Sequence, residues 1–275
     1  LHAGGKFSGK AYQTSGGLHG VGASVVNALS SLLEVEVARD KTLYKQVFRR
    51  GKAEGGLSVL GPTPNRRGTL IRFEPDEEIF GDGCRFKPAM LFQMAQSKAY
   101  LFAGVEIRWH CAAALLKDSK VPEEAVLCFP GGLADYLAHS TADKPIMLNQ
   151  PFAAQIELEG QKFEWALTWL ADSEDGFFHS YCNTVPTPLG GTHENGFRQA
   201  IVRGLRAYGE LTGSKRAGEL TADDVLASTA GMLSVFIRDP QFQGQTKEKL
   251  VTAEATRQTE TAVRDRFELW LTSEP

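Results

Sequence analysis

Ser15-Gly16-Gly17-Leu18-His19-Gly20-Val21-Gly22 runs straight into Ala23 to Leu32, where Val25, Val26, Leu29 and Leu32 continue an apolar stripe begun at Val21. That spacing predicts a helix entered directly from a glycine turn. Such a turn presents unpaired backbone N–H groups and the positive end of a helix dipole, the arrangement that holds a phosphate or another anion. The order G-x-x-G-x-G is the reverse of the dinucleotide fingerprint, and no buried strand leads into it, so a Rossmann reading is weak. On the glycine pattern alone, a tight loop into a packed helix remains an equal alternative.

Upstream of the turn, residues 1–15 are polar and glycine-rich, with the composition of a loop or lid. They contain a near match to the P-loop, Gly4-(x4)-Gly9-Lys10. Ala11 follows it where a Ser or Thr should hold Mg2+, which counts against a true P-loop. The segment has no basic region ahead of an apolar core, so it does not read as a signal peptide. It also lacks an initiator Met, and the chain starts inside a glycine-rich stretch, which suggests a missing upstream portion.

Downstream, Leu33-Glu34-Val35-Glu36-Val37 alternates and predicts a strand with one wet face. Tyr44 to Phe48, Leu57 to Leu60 and Thr69 to Phe73 extend it into an antiparallel meander. Pro88 to Phe102 predicts a helix with Met90, Leu91, Met94, Leu101 and Phe102 on one side and Lys98 snorkelling past the apolar edge. Val105 to Trp109 returns as a strand, and Gly131 to Ala138 is a short helical segment. Lys144-Pro145 breaks the pattern, so a domain boundary is expected between about Ala138 and Asn149, dividing the chain into 1–139 and 140–275.

In the second half Phe163, Trp165, Leu167 and Trp169 alternate with Glu164, Ala166 and Thr168, placing an aromatic face in a core. Thr192 is the expected cap of a helix carrying Phe197, Ile201, Leu205 and Tyr208, with His193 structural or solvent-facing. Gly231 to Ile237 predicts a buried strand, Gln241 to Lys249 a polar loop, and Val263, Phe267, Trp270 and Leu271 the buried face of a last helix.

Composition limits the function classes. The 275 residues, 42% hydrophobic and 23% charged, suit a globular protein of about two domains. A net charge of −3 and a pI near 6.1 give no global attraction to nucleic acid or membrane. No stretch approaches the roughly 18 apolar residues of a membrane-spanning helix. Cys84, Cys111, Cys128 and Cys182 lack metal-ligand spacing and suit a reducing cytoplasm. One local exception is the basic segment Arg198, Arg203, Arg206, Lys215 and Arg216, which outnumbers Glu194 and Glu210 and could meet DNA phosphates or simply face water.

Four motifs in order give a more specific reading: Leu1-His2-Ala3-Gly4-Gly5-Lys6-Phe7, the turn from Ser15 to Gly22, Gly190-Gly191-Thr192-His193, and Asp239-Pro240-Gln241-Phe242 through Gln245-Thr246-Lys247. Together they resemble the ATPase region of bacterial type II topoisomerase B subunits. Val185-Pro186-Thr187, Leu220 to Asp224, Gly244 to Glu248 and Gln13 after Tyr12 look more like topoisomerase IV than gyrase. The resemblance implies an α+β fold: the C-terminal part of a GHKL-type ATP-binding α/β sandwich, then a transducer domain resembling domain 2 of ribosomal protein S5. It also implies ATP and Mg2+ as cofactors, homodimerisation on ATP binding, double-stranded DNA, and the A subunit of topoisomerase IV in an A2B2 complex in the cytoplasm. The activity implied is ATP-dependent strand passage, with decatenation and relaxation; the B subunit of gyrase or another GHKL ATPase, of mismatch-repair or chaperone type, is the alternative.

Roles follow by position. Gly17, Leu18, His19, Gly20, Val21 and Gly22 would wrap phosphate with backbone amides; Lys6 and Tyr12 would touch phosphate and nucleobase or ribose. Arg39 matches the pocket edge and Thr69 the adenine-binding floor, although Arg39 also reads as a solvated loop charge and Thr69 as an ordinary strand residue. Lys247 would contact the γ-phosphate, and Gln245 would bond the same phosphate or orient the attacking water. The resemblance puts the glutamate base, the Mg2+-holding asparagine, the adenine-reading aspartate and the dimerising arm upstream of the lid. The expectation is therefore that the parent is an ATPase, while the 275-residue piece alone shows no turnover above a Lys247→Ala control.

Overall fold

The computed structural model describes residues 21–117, 119–148, 150–171 and 176–273. The glycine turn up to Gly20 and the near P-loop lie outside these residues. Residues 21–87 form one compact unit and 88–273 a second.

The first unit holds α1 (Gly22–Ala28), β1 (Ser30–Arg39), β2 (Thr42–Arg49), β3 (Lys52–Ala53), β4 (Ser58–Pro62), β5 (Gly68–Pro75) and α2 (Glu77–Phe80). Its sheet runs β3-β2-β1-β5, with β4 also pairing β2, and every pair is antiparallel. The expected strands form and are antiparallel, but they are not a meander: β4 pairs β2, whereas β5 crosses to the far side of β1, because β1 is the strand with a free edge there. Two hairpins close through residue pairs with positive φ: Asp40-Lys41 at 50° and 61°, and Arg50-Gly51 at 48° and 80°. That double left-handed geometry matches the right-handed twist of the strands it joins. The face with Glu34, Glu36, Lys45 and Arg72 is wet and carries ion pairs, among them Lys45–Glu34 at 2.9 Å. Leu33 and Val35 point the other way and are buried.

The expected helix to Leu32 is cut short. α1 ends at Ala28, Leu29 caps it, and Ser30 already pairs with Pro75 in the β1–β5 ladder. Ser30 Oγ donates to Val26 O at 2.6 Å, helping close the last turn. Strand pairing overrides the helical stripe here, and Val21, Val25 and Leu29 stay exposed.

The second unit holds α3 (Pro88–Leu101), β6 (Ile107–His110), β7 (Glu124–Leu127), α4 (Leu133–Ser140), β8 (Phe152–Leu158), β9 (Gln161–Trp169), β10 (Phe177–Cys182), β11 (Val185–Pro186), α5 (Thr192–Leu211), α6 (Ala222–Leu226), β12 (Thr229–Phe236) and α7 (Glu254–Ser273). Its main sheet runs β11-β10-β12-β9-β8, with β10 and β12 parallel and the other pairs antiparallel. The one parallel pair needs a long connection, and α5 lies within it.

Both faces of this sheet are covered. Phe163, Trp165, Leu167, Leu233 and Val235 pack with Phe197 and Ile201 of α5 and Val263 and Phe267 of α7. Ala166, Ala230 and Met232 pack with Tyr100 and Leu101 of α3 and Leu133 and Leu137 of α4. The aromatic face of β9 is in a core as expected, yet the alternate face is buried too. Glu164 is only 6% exposed. It is bridged by Lys162 at 3.0 Å and accepts from the Leu133 N–H at 3.2 Å, so its charge is compensated.

α3 departs from its expected stripe. Met90, Met94 and Phe102 are exposed, whereas Ala99, Tyr100 and Leu101 are buried. Its contacts are set by α4 and the sheet beneath. Lys98 does not snorkel: its ammonium donates to Thr184 O at 2.7 Å, and desolvation lowers its pKa. At α5 the cap is Gly191, not Thr192, and no side chain caps the turn. No helix among the described residues is long and apolar enough to cross a membrane.

Candidate functional site

The sequence-derived site residues divide between the two units. Lys6, Tyr12, Gly17, Leu18, His19 and Gly20 lie outside the described residues. In the first unit, Val21 and Gly22 open α1, and Val21 is exposed. Val37 pairs with Thr69, so Arg39 and Thr69 sit on one face of neighbouring strands, a step apart along the ladder. Both are exposed, and the Arg39 guanidinium pairs with Asp40 at 3.5 Å. An exposed pair at that distance contributes little to stability.

In the second unit, Gln245 and Lys247 share a short loop that leaves β12 through Asp239-Pro240 and returns at Leu250. The loop base is a small antiparallel clasp. Phe242 bridges Leu250, the Gln243 N–H donates to Lys249 O at 2.9 Å, and the Val251 N–H donates to Gln241 O at 2.8 Å. Gly244 and Lys247 both have positive φ, 75° and 60°, and bracket Gln245-Thr246. For glycine this costs little; for lysine the left-handed region costs about 1 kcal/mol. Gln245 is exposed. The Lys247 ammonium lies 5.9 Å from the Phe242 ring centroid, a cation–π distance. The loop thus presents an ammonium and an amide, both able to donate to an anionic oxygen.

Beside the loop, Gly190-Gly191-Thr192-His193 forms the corner that starts α5. His193 is fully buried, and its Nε2 lies 3.1 Å from the Thr187 hydroxyl. Burial pushes its pKa down to about 4, so the ring is neutral at pH 7. Between a structural and a solvent-facing histidine, the structural reading holds. Ser180 and Thr187 support this corner; Thr187 stands in the sequence only as part of the Val185-Pro186-Thr187 motif, and Ser180 carries no sequence signal. Asn183-Thr184, with φ values of 48° and 65°, closes the β10–β11 hairpin that leads into the corner.

Three of the five basic side chains in the segment meet a carboxylate. Arg198 makes a two-pronged bond to Glu194, Arg203 pairs with Glu260, Arg206 donates to Leu220 O, and Arg216 lies 3.5 Å from Glu219. Of the five, Lys215 alone lacks a partner among the described residues. Glu260 comes from α7, which a count along the segment could not include. Among the described residues no group of three His, Cys, Asp or Glu side chains could hold a metal ion.

The family model described as DNA gyrase B matches residues 132–275. The chain belongs to the DNA gyrase B family. Within it, the chain is 56% identical over its whole length to the B subunit of DNA topoisomerase 4 from Caulobacter vibrioides and 41% identical over 98% of its length to that from Salmonella typhimurium. It spans 40% of the length of the Caulobacter protein. Among solved structures, the topoisomerase IV ATP binding domain of Francisella tularensis superposes with a TM-score of 0.74 at 32% identity, covering 95% of this chain and 70% of that one. The 43K ATPase domain of Thermus thermophilus gyrase B gives 0.73 at 31% identity, covering 92% and 67%. This gyrase B family member therefore has the α+β fold of the ATPase and transducer regions of type II topoisomerase B subunits.

Proposed function

We propose that the chain is the ATPase and transducer portion of an ATP-dependent type II topoisomerase, and that Lys247 is its sensor of the terminal phosphate. The observation that carries this is the conformation of one loop. A lysine held at φ 60°, beside an exposed glutamine, in a loop clasped at its base suits a preorganised phosphate contact. The donor set fits the group: an ammonium acts as a compact point charge toward phosphate, and a carboxamide adds a directional donor.

ATP, when bound, supplies the phosphoanhydride whose cleavage makes the cycle irreversible. Toward it, Lys247 neutralises charge on the terminal phosphate, and Gln245 bonds the same phosphate or orients the attacking water. Gly17, Leu18, His19, Gly20, Val21 and Gly22 cradle phosphate by their amides, with Lys6 and Tyr12 on the same lid. Arg39 borders the pocket and Thr69 helps bind adenine. Mg2+ belongs to the same reading but has no assigned ligands on the described residues. Because ADP lacks the phosphate that Lys247 touches, the contact distinguishes the two nucleotides and can drive a conformational equilibrium.

In this reading residues 1–139 belong to the nucleotide-binding domain and 140–275 to the transducer. The whole protein is cytoplasmic, dimerises on binding ATP, assembles with the A subunit of topoisomerase IV and passes one DNA segment through another. The match to a family described as DNA gyrase B favours gyrase as the second reading. The two separate cleanly, since the complex either introduces supercoils or only relaxes and decatenates DNA. In the full-length protein with its partner protein, Lys247→Ala should lower kcat for ATP turnover by about 100-fold or more. Turnover within a factor of about two of wild type would rule the assignment out.

A further inference from the structure

The Lys247 loop is not held by its own base alone. Three main-chain hydrogen bonds fasten its returning arm to the start of α5: Leu189 N–H to Glu248 O at 3.0 Å, Leu250 N–H to Gly190 O at 3.2 Å, and Thr192 N–H to Leu250 O at 3.0 Å. Gly191 and Leu250 form a parallel bridge at the centre of this seam. We propose that the Gly190–His193 corner is a positioning element whose function is to dock the Lys247 loop in a fixed place.

Two features make the corner suited to that role. Gly191 has φ 142° and ψ −163°, a conformation reserved for glycine. A Cβ there would lie 2.3 Å from Leu250 O and 2.7 Å from Leu250 N, both backbone atoms with no side-chain freedom to yield. The seam is therefore closed only because residue 191 has no side chain. The corner is also tied down from behind. Thr187 O accepts from the Gly190 N–H at 2.8 Å, while the Thr187 hydroxyl meets both His193 Nε2 and, at 2.8 Å, Ser180 Oγ of β10. Leu250 is itself fully buried in the main core. A buried residue thus stands at one end of the loop, three positions from Lys247, and transmits the rigidity of the sheet to it.

The inference rests on the phosphate reading of Lys247 for its purpose, but its test does not. In the full-length protein, trypsin cuts after Lys247 and Lys249 faster the more often the returning arm leaves its seam. Gly191→Ala should accelerate cleavage at these two sites by about tenfold or more, with cleavage after Arg49 and Arg50 unchanged. Leu189→Pro removes one docking N–H at an exposed residue, so it tests the seam even if Gly191→Ala does not fold. It should accelerate the same cuts to a smaller degree. Wild-type cleavage rates in a folded Gly191→Ala protein, or in Leu189→Pro when Gly191→Ala does not fold, would overturn the inference. ATP turnover then separates positioning from general damage. The loss caused by Gly191→Ala should largely vanish in a Lys247→Ala background, because both act through one side chain. A full additive loss there would also overturn it. Faster cleavage with a silent Lys247→Ala would uphold the docking and remove only the phosphate reading.

Discussion

The β1–β5 sheet and the β8–β12 sheet are built from similarly short strands but are stabilised differently. Among the described residues of the first unit, Leu33, Val35 and Ala38 are the buried hydrophobics. β4 and β5 leave Val59, Leu60, Ile71 and Phe73 exposed, and the wet face is laced with ion pairs. Ladder hydrogen bonds, left-handed hairpins and surface charge hold this sheet. In the second unit, β9 and β12 bury side chains on both faces between helix pairs. The lesson is that a loop needing a fixed position is attached to the second kind of sheet. Lys247 hangs from Leu250, and Leu250 belongs to the larger core.

The contrast should appear most strongly in core truncations. Trp165→Ala should cost about 3–5 kcal/mol in denaturant unfolding, while Ile71→Ala, at a residue 53% exposed, should cost under about 1 kcal/mol. Equal losses would break the comparison.

Acid is the next lever. His193 has a folded pKa of about 4 against an ordinary 6.5. Between those values the unfolded chain binds the proton that the folded chain refuses, so stability is complete above pH 6.5 and is lost as pH falls toward 4. The total is about 3 kcal/mol by the linkage relation. Unfolding followed from pH 7 to pH 4 should show this slope, and His193→Gln should remove that share of it. An unchanged slope in the variant would show that the ring is not held neutral.

The first unit has its own polar fastening, smaller in effect. Asp76 is 3% exposed. Its carboxylate accepts from the Glu78 N–H at 3.1 Å and pairs with Arg50 Nε at 2.8 Å. Asp76→Ala should cost about 1–3 kcal/mol, measured by thermal unfolding of the first unit. A loss matching Trp165→Ala would mean that the sheet depends on this one anchor more than its exposure suggests.

Much of this fold was legible in sequence because alternation survives where one sheet face is wet. β1 was foreshadowed that way, whereas β2, β4 and β5 read only as short, partly apolar runs between turn residues, and β4 and β5 are exposed over nearly their whole length. The reading failed where a second partner covers the expected polar side. Glu164 only alternates with the aromatic face in sequence, yet α4 closes over it, and Met90 and Met94 read as part of one apolar side although Tyr100 takes the contact. The charge count along the basic segment was incomplete for the same reason, since Glu260 arrives from α7. In the site, Gln245 and Lys247 were identifiable only by resemblance to a family motif. Their physical distinction, a left-handed lysine in a loop seamed to Gly191, needs coordinates, because nothing local in the sequence says that residues 189–192 and 248–250 will be neighbours.

The claim that Lys247 senses the terminal phosphate is tested most directly by nucleotide discrimination. Affinities of the full-length protein for a non-hydrolysable ATP analogue and for ADP should be measured with and without Lys247→Ala. The expected result is a clear preference for the analogue in the wild type that falls to about parity in the variant, with ADP affinity nearly unchanged, because only the differential contact is removed. A preference that survives the substitution intact would contradict it.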